Sequence, residues 1–264
     1  MADADALIDA GRTGLPVTPE PTQEPAAAPS GDGSIMSLID HLGELRTRLF
    51  RSVLAIVAGS VVGFALASDI RRVLVTPLPL DQQVLQVLGP GDAFAIQLRI
   101  SIIVGIILAM PVILYQVWSF VSPGLTPAER RAARPWIPLA LVFFALGVGI
   151  AMLVLPYAVD FLLSFTDATL EANLTATGYF DFVTTMFLAF GLVMEFPILL
   201  VGLSRVGIVT SARMRSSRRY VILGIAIFAA TATPGGDLVS PFVLGGTMYL
   251  LFEGTVLFIR RTGR

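Results

Sequence analysis

The 264-residue sequence has no cysteine and no lysine, and it has a single histidine. These counts exclude a disulfide framework, a cysteine-rich metal site, a thiol nucleophile and lysine chemistry, so we expect neither a metal site nor a cofactor. Charged residues are also scarce, at 14% of the chain, and the formal net charge is −1. A chain with no basic excess lacks the electrostatic footprint that nucleic-acid binding requires.

Apolar side chains are abundant, at 55% of the residues, and the mean hydropathy is +0.80. A soluble domain of this composition would aggregate, so the chain is predicted to be a membrane protein. Several of its apolar stretches approach the roughly 20 residues that cross a hydrocarbon core about 30 Å thick. We predict six spans, at about residues 52–67, 100–121, 136–155, 182–204, 220–233 and 242–259.

These spans are predicted to be helices, because lipid-exposed backbone must satisfy its own hydrogen bonds and no stretch alternates as a barrel strand does. The predicted fold class is therefore all-α, a polytopic membrane bundle of six transmembrane helices over residues 34–264. The fifth span has 14 residues and covers about 21 Å, and the sixth is only modestly longer. We expect these two short spans to thin the bilayer locally or to pack away from lipid.

Residues 1–33 contain five prolines and six acidic side chains but only one arginine, Arg12. Such a segment buries too little apolar surface to order itself, so we predict a disordered tail. It has no basic start and no apolar core, which is unlike a cleaved signal peptide.

The arginines predict the orientation of the spans. All 18 basic residues are arginine, and all except Arg71, Arg72 and Arg99 fall in the tail, in alternate loops or beside the ends of the chain. The positive-inside rule therefore places both termini in the cytoplasm. Within this arginine-rich surface, the cytoplasmic carboxylates are Asp40, Glu44 and Glu129.

Glu44 and Glu129 each have two interpretations. Glu44 lies in an amphipathic helix before the first span and can pair with Arg48 one turn later. Glu129 follows Thr126 and Pro127, where it completes a helix start. Alternatively, each carboxylate takes a guanidinium group in a bidentate fork, which would suit a receptor for paired arginines.

Glu195 lies near the middle of the fourth span. A carboxylate inside the membrane is costly, which makes it a candidate functional residue, either protonated or facing a wet cavity. The simpler interpretation is a hydrogen bond to a neighbouring helix. Pro197, two residues later, predicts a kink in this span.

The segment between the two short spans carries the turn sequence Pro234-Gly235-Gly236. Asp237 and Ser240, which follow this turn, are suited to capping the last helix.

Taken in order, these motifs resemble the TatC family, the multispanning receptor subunit of the twin-arginine protein translocase. The resemblance covers about residues 37–260 and is carried by His41-Leu42-x-Glu44-Leu45-Arg46, Pro111 to Phe120, Glu129-Arg130-Arg131, Phe190-Gly191-Leu192, Glu195-x-Pro197, Arg219-Tyr220, and Thr233-Pro234 with Asp237 and Ser240.

The resemblance implies a cup-like, non-enzymatic subunit of the bacterial cytoplasmic membrane that binds twin-arginine signal peptides on folded cargo. It also implies self-association, TatA-type and TatB-type single-span partners, and export driven by the proton-motive force. Glu44, Arg46 and Glu129 would bind the signal peptide, and Glu195 would belong to an intramembrane polar patch. Thr231, Thr233, Asp237 and Ser240 would form the partner-docking region.

Two other functions, a secondary transporter and an intramembrane enzyme, are alternatives for an intramembrane carboxylate. A proton-coupled secondary transporter of a small solute would use Glu195 as its proton carrier, but it needs matching halves, and the sequence shows no convincing internal repeat. An intramembrane enzyme is disfavoured, because zinc chemistry lacks its histidine pair and a serine–lysine dyad lacks its lysine.

Overall fold

The structure is a computed structural model that describes residues 32–124, 126–127, 130–131, 134–167, 173–205, 209–233 and 237–261. In these ranges eight α-helices follow one another: α1 (Asp32–Val75), α2 (Asp92–Val121), α3 (Trp136–Leu163), α4 (Ala176–Val193), α5 (Phe196–Arg205), α6 (Ser211–Ser216), α7 (Arg218–Ala232) and α8 (Val239–Arg261). Short 3-10 turns occur at Leu80–Gln82 and Ser122–Gly124.

The predicted tail, residues 1–33, lies outside the described residues except for its last two, which are already in α1. By its internal contacts the chain divides into residues 1–42 and residues 43–264. In the first unit, helical backbone is described from residue 32. The packing discussed below is that of the second unit.

Five helical stretches are long and apolar enough to cross a membrane: Asp40–Val75, Asp92–Val121, Trp136–Leu163, Ala176–Arg205 and Val239–Arg261. The all-helical, multi-pass membrane class is thereby confirmed. The predicted fifth span corresponds to α7, whose 15 residues cover only about 22 Å at 1.5 Å per residue. Its shortness is as expected, and the count of six spans stays a prediction.

The prediction of a short sixth span is wrong. Helix α8 has 23 residues and covers about 34 Å, enough for the hydrocarbon core. It begins at Val239, three residues before the predicted start, because the Asp237 carboxylate accepts a hydrogen bond from the Ser240 backbone N–H at 2.5 Å. Pro241 fits the first turn, where a helix needs no backbone donor.

The fourth span is broken where Pro197 predicted a kink. Helix α4 ends at Val193 and α5 begins at Phe196, with a turn at Met194 and Glu195 between them. Proline has no N–H to donate to the carbonyl of Val193, so the regular helical ladder stops there. The predicted kink is confirmed.

Close helix packing depends on glycine. A Cβ built on Gly59 of α1 would lie 2.7 Å from the Gly105 carbonyl oxygen of α2, and one on Gly63 would lie 2.6 Å from the Ser101 carbonyl oxygen. Small residues four apart let membrane helices approach until their backbones touch. Gly147 similarly sets α3 against α4, since its Cβ would lie 2.4 Å from the Phe190 carbonyl oxygen.

The main core consists of apolar side chains from α1, α2, α3, α4, α7 and α8 together with Leu78. Its most buried large members are Ile100, Leu155, Val183, Met186, Phe190 and Leu244. A smaller cluster joins α5, α6 and α8 through Val201, Met214, Phe252, Val256 and Ile259. The two clusters leave many other apolar side chains exposed, as expected for a bundle whose surroundings are lipid rather than water.

The two long loops meet at the end of the bundle opposite the arginine-rich end. Gln86 forms a parallel β-bridge with Thr175, and its side chain donates to the Asn173 amide oxygen at 3.1 Å. The buried Tyr179 hydroxyl donates to the Leu74 carbonyl at 2.6 Å, which ties the start of α4 to the end of α1. An ion pair between Arg99 and Asp181 joins α2 to α4 at the same end.

Candidate functional site

Glu44 lies on α1, where its side chain forms an ion pair with Arg48 one helical turn later. Arg48 Nε donates to Glu44 Oε1 at 3.1 Å, and Nη2 approaches the same oxygen. The structure therefore shows the ion pair of Glu44 with Arg48 that the first interpretation predicted. The Glu44 side chain is 36% exposed and that of Arg48 is 18% exposed, so the pair is partly buried but its carboxylate is accessible. Helical pairs one turn apart contribute about 0.2–0.5 kcal/mol. Arg46 is exposed on the same helix.

Glu129 lies outside the described residues, so its predicted role is not tested by the structure. The residues around it are partly described: the Arg130 backbone N–H donates to the Thr126 carbonyl at 2.9 Å. This hydrogen bond spans one helical turn, which agrees with the helix start predicted at Thr126 and Pro127.

Glu195 sits at the break between α4 and α5 and is only 8% exposed. Its Oε1 atom is buried, and in the described part of the chain this atom has no hydrogen-bond partner. A neighbouring helix was the simpler interpretation, but none of the described residues provides that hydrogen bond to Oε1. In contrast to the side chain, the Glu195 backbone carbonyl is hydrogen-bonded: it accepts from the N–H groups of Ile198 and Leu199, both at 3.1 Å.

Burying a polar oxygen without a partner costs roughly 1–3 kcal/mol. Natural proteins retain such a group mainly where function requires it. Gln116 on α2 presents a second buried oxygen, Oε1, that lacks a partner among the described residues. Thr177 Oγ1, Asp237 Oδ2 and Glu253 Oε1 are buried without a described partner as well, so Glu195 belongs to a set of five such side-chain oxygens within the described chain.

The predicted docking residues around the turn between α7 and α8 differ in exposure. Thr231 is exposed, whereas Thr233, Asp237 and Ser240 are buried. Thr233 donates to the Ala229 carbonyl at 2.8 Å, and Ser240 is 0% exposed with its hydroxyl 3.9 Å from the sulfur of Met186. Three of the four side chains are thus buried within the protein, and of the four only that of Thr231 is exposed.

The predicted site residues that the structure describes lie on different helical elements. Asp237 and Ser240 are joined by a hydrogen bond, but Glu44 belongs to α1 and Glu195 to the break between α4 and α5. An arrangement of this kind can contact an extended ligand at several points. Within the described residues, no group of three histidine, aspartate or glutamate side chains is placed to hold a metal ion.

Two features were not identified from the sequence. One is the ion pair between Arg218 on α7 and Glu253 on α8, with Nη2 and Oε2 2.7 Å apart. The other is the glycine crossing of α1 and α2. The spacing of Gly59 and Gly63 is a known signal for membrane-helix contact and could have revealed the crossing. The ion pair has no local signal, since its residues are 35 positions apart.

Comparison with known proteins gives concordant results. The family model described as "Sec-independent protein translocase protein (TatC)" matches residues 40–246. The TatC protein of Carboxydothermus hydrogenoformans is 34% identical over 226 residues, which cover 85% of this chain and 93% of that protein. The chloroplastic TATC protein of Oryza sativa is 36% identical over 234 residues, and these are 88% of this chain but only 65% of the rice protein.

A solved structure is also similar. The crystal structure titled "Twin Arginine Translocase Receptor- TatC" has a TM-score of 0.74 and 34% sequence identity, and the match covers 85% of this chain and 100% of that one. This is a family of membrane-bound translocase components rather than of enzymes. From the family match, the relatives and the shared structure together, we conclude that the chain belongs to the TatC family of Sec-independent protein translocase proteins.

Proposed function

We propose that this chain is the receptor subunit of a twin-arginine translocase, which binds twin-arginine signal peptides and exports folded proteins across the cytoplasmic membrane. The observation that carries the proposal is the similarity to the twin-arginine receptor structure over 85% of the chain. In this proposal α7 is the fifth of six spans in a cup-like bundle, and both termini are cytoplasmic. The concentration of arginines at one end of the bundle supports that orientation.

Glu44 and Glu129 are proposed to bind the two signal-peptide arginines, with Arg46 beside them. For Glu44, the binding reaction is an exchange: a guanidinium of the peptide replaces that of Arg48. The exchange costs little, because a helical pair one turn apart contributes only a few tenths of a kcal/mol and the Glu44 carboxylate is accessible. An incoming arginine that forms a bidentate fork gains more than Arg48 loses.

The apolar part of the signal peptide is proposed to lie along the bundle toward Glu195. Glu195 occupies a helix break, where backbone irregularity already interrupts the apolar surface. Its buried oxygen without a described partner supports a role in which a ligand, water or partner subunit completes the hydrogen bonding.

TatA-type and TatB-type single-span subunits are proposed to dock at the hairpin of α7 and α8. The exposed Thr231 would contact them directly, while Thr233, Asp237 and Ser240 hold the hairpin in shape. The energy is proposed to come from the proton-motive force, and further copies of the chain would join the same complex.

The test is an export assay in cells that lack the chromosomal gene and carry a folded, cofactor-containing reporter with a twin-arginine leader. We expect Glu44→Gln with Glu129→Gln to leave the reporter in the cytoplasm, although the variant reaches the membrane at normal abundance. Arg215→Gln, an exposed change at the same end of the bundle, is the matched control and should export normally. Full export by the double variant would remove these carboxylates from the binding site.

A further inference from the structure

An apolar groove of about 290 Å³ opens on the surface of the bundle between α3, α5 and α8. Its lining includes Trp136, Phe143, Ile198, Leu251, Gly254 and Phe258. A Cβ built on Gly254 would meet no atom within 4 Å, so the groove is open at that position. The groove lies at the arginine-rich end, because Trp136 begins α3 and Phe258 is near the end of α8.

The groove has almost no hydrogen-bonding capacity of its own. The polar side-chain groups of its lining are the Trp136 indole N–H, at the arginine-rich end, and the Thr255 hydroxyl, which already donates to the Leu251 carbonyl at 2.7 Å. An occupant held here must therefore be apolar along its length. A hydrocarbon chain meets this requirement without leaving any polar group unsatisfied.

The mouth of the groove is positively charged. The Arg205 guanidinium lies over the Trp136 ring, 5.6 Å from its centroid, so a cation is fixed beside a lining residue. Arg261 is exposed one helical turn beyond Phe258 and seven residues after Gly254, which places it on the groove face of α8. The nearby carboxylate of Glu253 pairs with Arg218 instead.

We propose that this groove is a binding site for an anionic phospholipid of the same leaflet, with one acyl chain in the groove and the phosphate between Arg205 and Arg261. Apolar walls and a cationic mouth match the two halves of such a lipid, and basic sites between membrane helices are suited to anionic headgroups. Glu44, Arg46 and Glu195 do not line the groove, although its lining residue Ile198 lies three positions after Glu195, and the lipid proposal does not depend on peptide binding.

Trp136 provides a direct probe of occupancy, because the chain has only two tryptophans. Replacing Trp118 by phenylalanine leaves Trp136 as the sole fluorophore of this kind. The purified full-length variant is reconstituted in phosphatidylcholine vesicles that contain either brominated phosphatidylglycerol or brominated phosphatidylcholine. We expect phosphatidylglycerol to quench Trp136 at about 25-fold lower mole fraction, since each of the two arginines attracts an anionic lipid by about fivefold.

Four further variants in this background separate the site from general charge and from misfolding. Arg261→Gln should lower the preference for phosphatidylglycerol several-fold, while Arg215→Gln, equally exposed but off the groove, should leave it unchanged. Gly254→Leu should reduce quenching by both lipids, while Gly149→Leu, whose Cβ also meets open space but lies off the groove, should not. Circular dichroism verifies that each variant is folded.

Equal quenching by the two brominated lipids would overturn the proposal, because the cationic mouth would then select nothing. Absence of quenching by either lipid would also overturn it, since protein rather than lipid would cover Trp136. An equal loss of preference in Arg215→Gln and Arg261→Gln would reduce the effect to overall surface charge and would likewise contradict a built site.

Discussion

Arg218 at the start of α7 lies 2.7 Å from Glu253 near the end of α8, measured from Nη2 to Oε2. This ion pair joins the shortest of the predicted spans to the last one. Helix α7 has only 15 residues, too few to be held in place by the bilayer alone. Its position therefore depends on its contacts with α8, which include this ion pair.

Arg218→Gln is expected to destabilise the protein by about 1 kcal/mol, which is the upper end of the range of free energies that partly exposed ion pairs contribute. The cost arises because Glu253 Oε1 is already buried without a described partner and Oε2 would lose its own. Thermal unfolding in detergent, followed by circular dichroism, measures the change. Arg72→Gln removes the more exposed pair with Asp69, at 82% and 69% side-chain exposure, and should change stability by less than half as much.

Gly105→Ala is expected to destabilise the contact of α1 with α2 by about 1–3 kcal/mol. The added Cβ would lie 2.6 Å from the backbone nitrogen of Ser60 and 2.8 Å from the Ile56 carbonyl oxygen, so the backbone itself must move. Gly149→Ala is the matched control, since its Cβ meets open space and alanine favours helix by about 1 kcal/mol. If both changes have the same effect on thermal unfolding, the close crossing is not required.

Asp237→Ala is expected to destabilise the protein by about 1 kcal/mol, because the Ser240 N–H at the start of α8 loses its acceptor. Asp237→Asn keeps an acceptor oxygen and should retain most of the stability. Thr231→Ala, on the exposed side of the hairpin, should leave stability unchanged and instead weaken copurification of the single-span partners. The opposite pattern would mean that Asp237 acts in docking rather than in helix capping.

Glu195→Leu is expected to raise the stability of the protein and to abolish export. Replacing the carboxyl group removes a buried oxygen that has no described partner, a penalty of about 1–3 kcal/mol. A residue that lowers the stability of the folded protein but is needed for activity is typical of a functional site. Thermal unfolding and reporter export measure the two effects, and a variant that is both less stable and fully active would contradict the assignment.

Much of the fold was predictable because hydropathy and backbone chemistry act locally. The five long helices coincide with predicted spans, the break at Met194 and Glu195 follows from Pro197, and the shortness of α7 is visible in its length. The sixth span was predicted too short because its polar first turn looked like loop. Capping by Asp237 or Ser240 was predicted, and the hydrogen bond from the Ser240 N–H to the Asp237 carboxylate shows that the helix has already begun there.

The candidate site was less predictable, because a residue type does not reveal its partner. Glu44 was suited equally to Arg48 and to a peptide, and the structure shows the first of these. Asp237 and Ser240 were suited to capping and to docking, and their burial shows the structural role. The pairing of Arg218 with Glu253 connects distant parts of the chain and required the tertiary structure.

If a peptide arginine replaces Arg48 as the partner of Glu44, substitutions of Arg48 and of Glu44 should change peptide affinity in opposite directions. Arg48→Gln removes the guanidinium that competes with the peptide for the Glu44 carboxylate, so it should strengthen binding of a twin-arginine peptide. Glu44→Gln should weaken binding, by about tenfold if a bidentate, charge-assisted contact is lost. Both effects should fade as salt screens the exposed charges.

The most direct measurement is a titration of the purified protein with two fluorescent signal peptides that differ only in carrying Arg-Arg or Lys-Lys. We predict that the unmodified protein prefers the arginine peptide, that Arg48→Gln increases this preference, and that Glu44→Gln with Glu129→Gln abolishes it. Equal affinity of the unmodified protein for both peptides, or an undiminished preference in the double variant, would contradict the account.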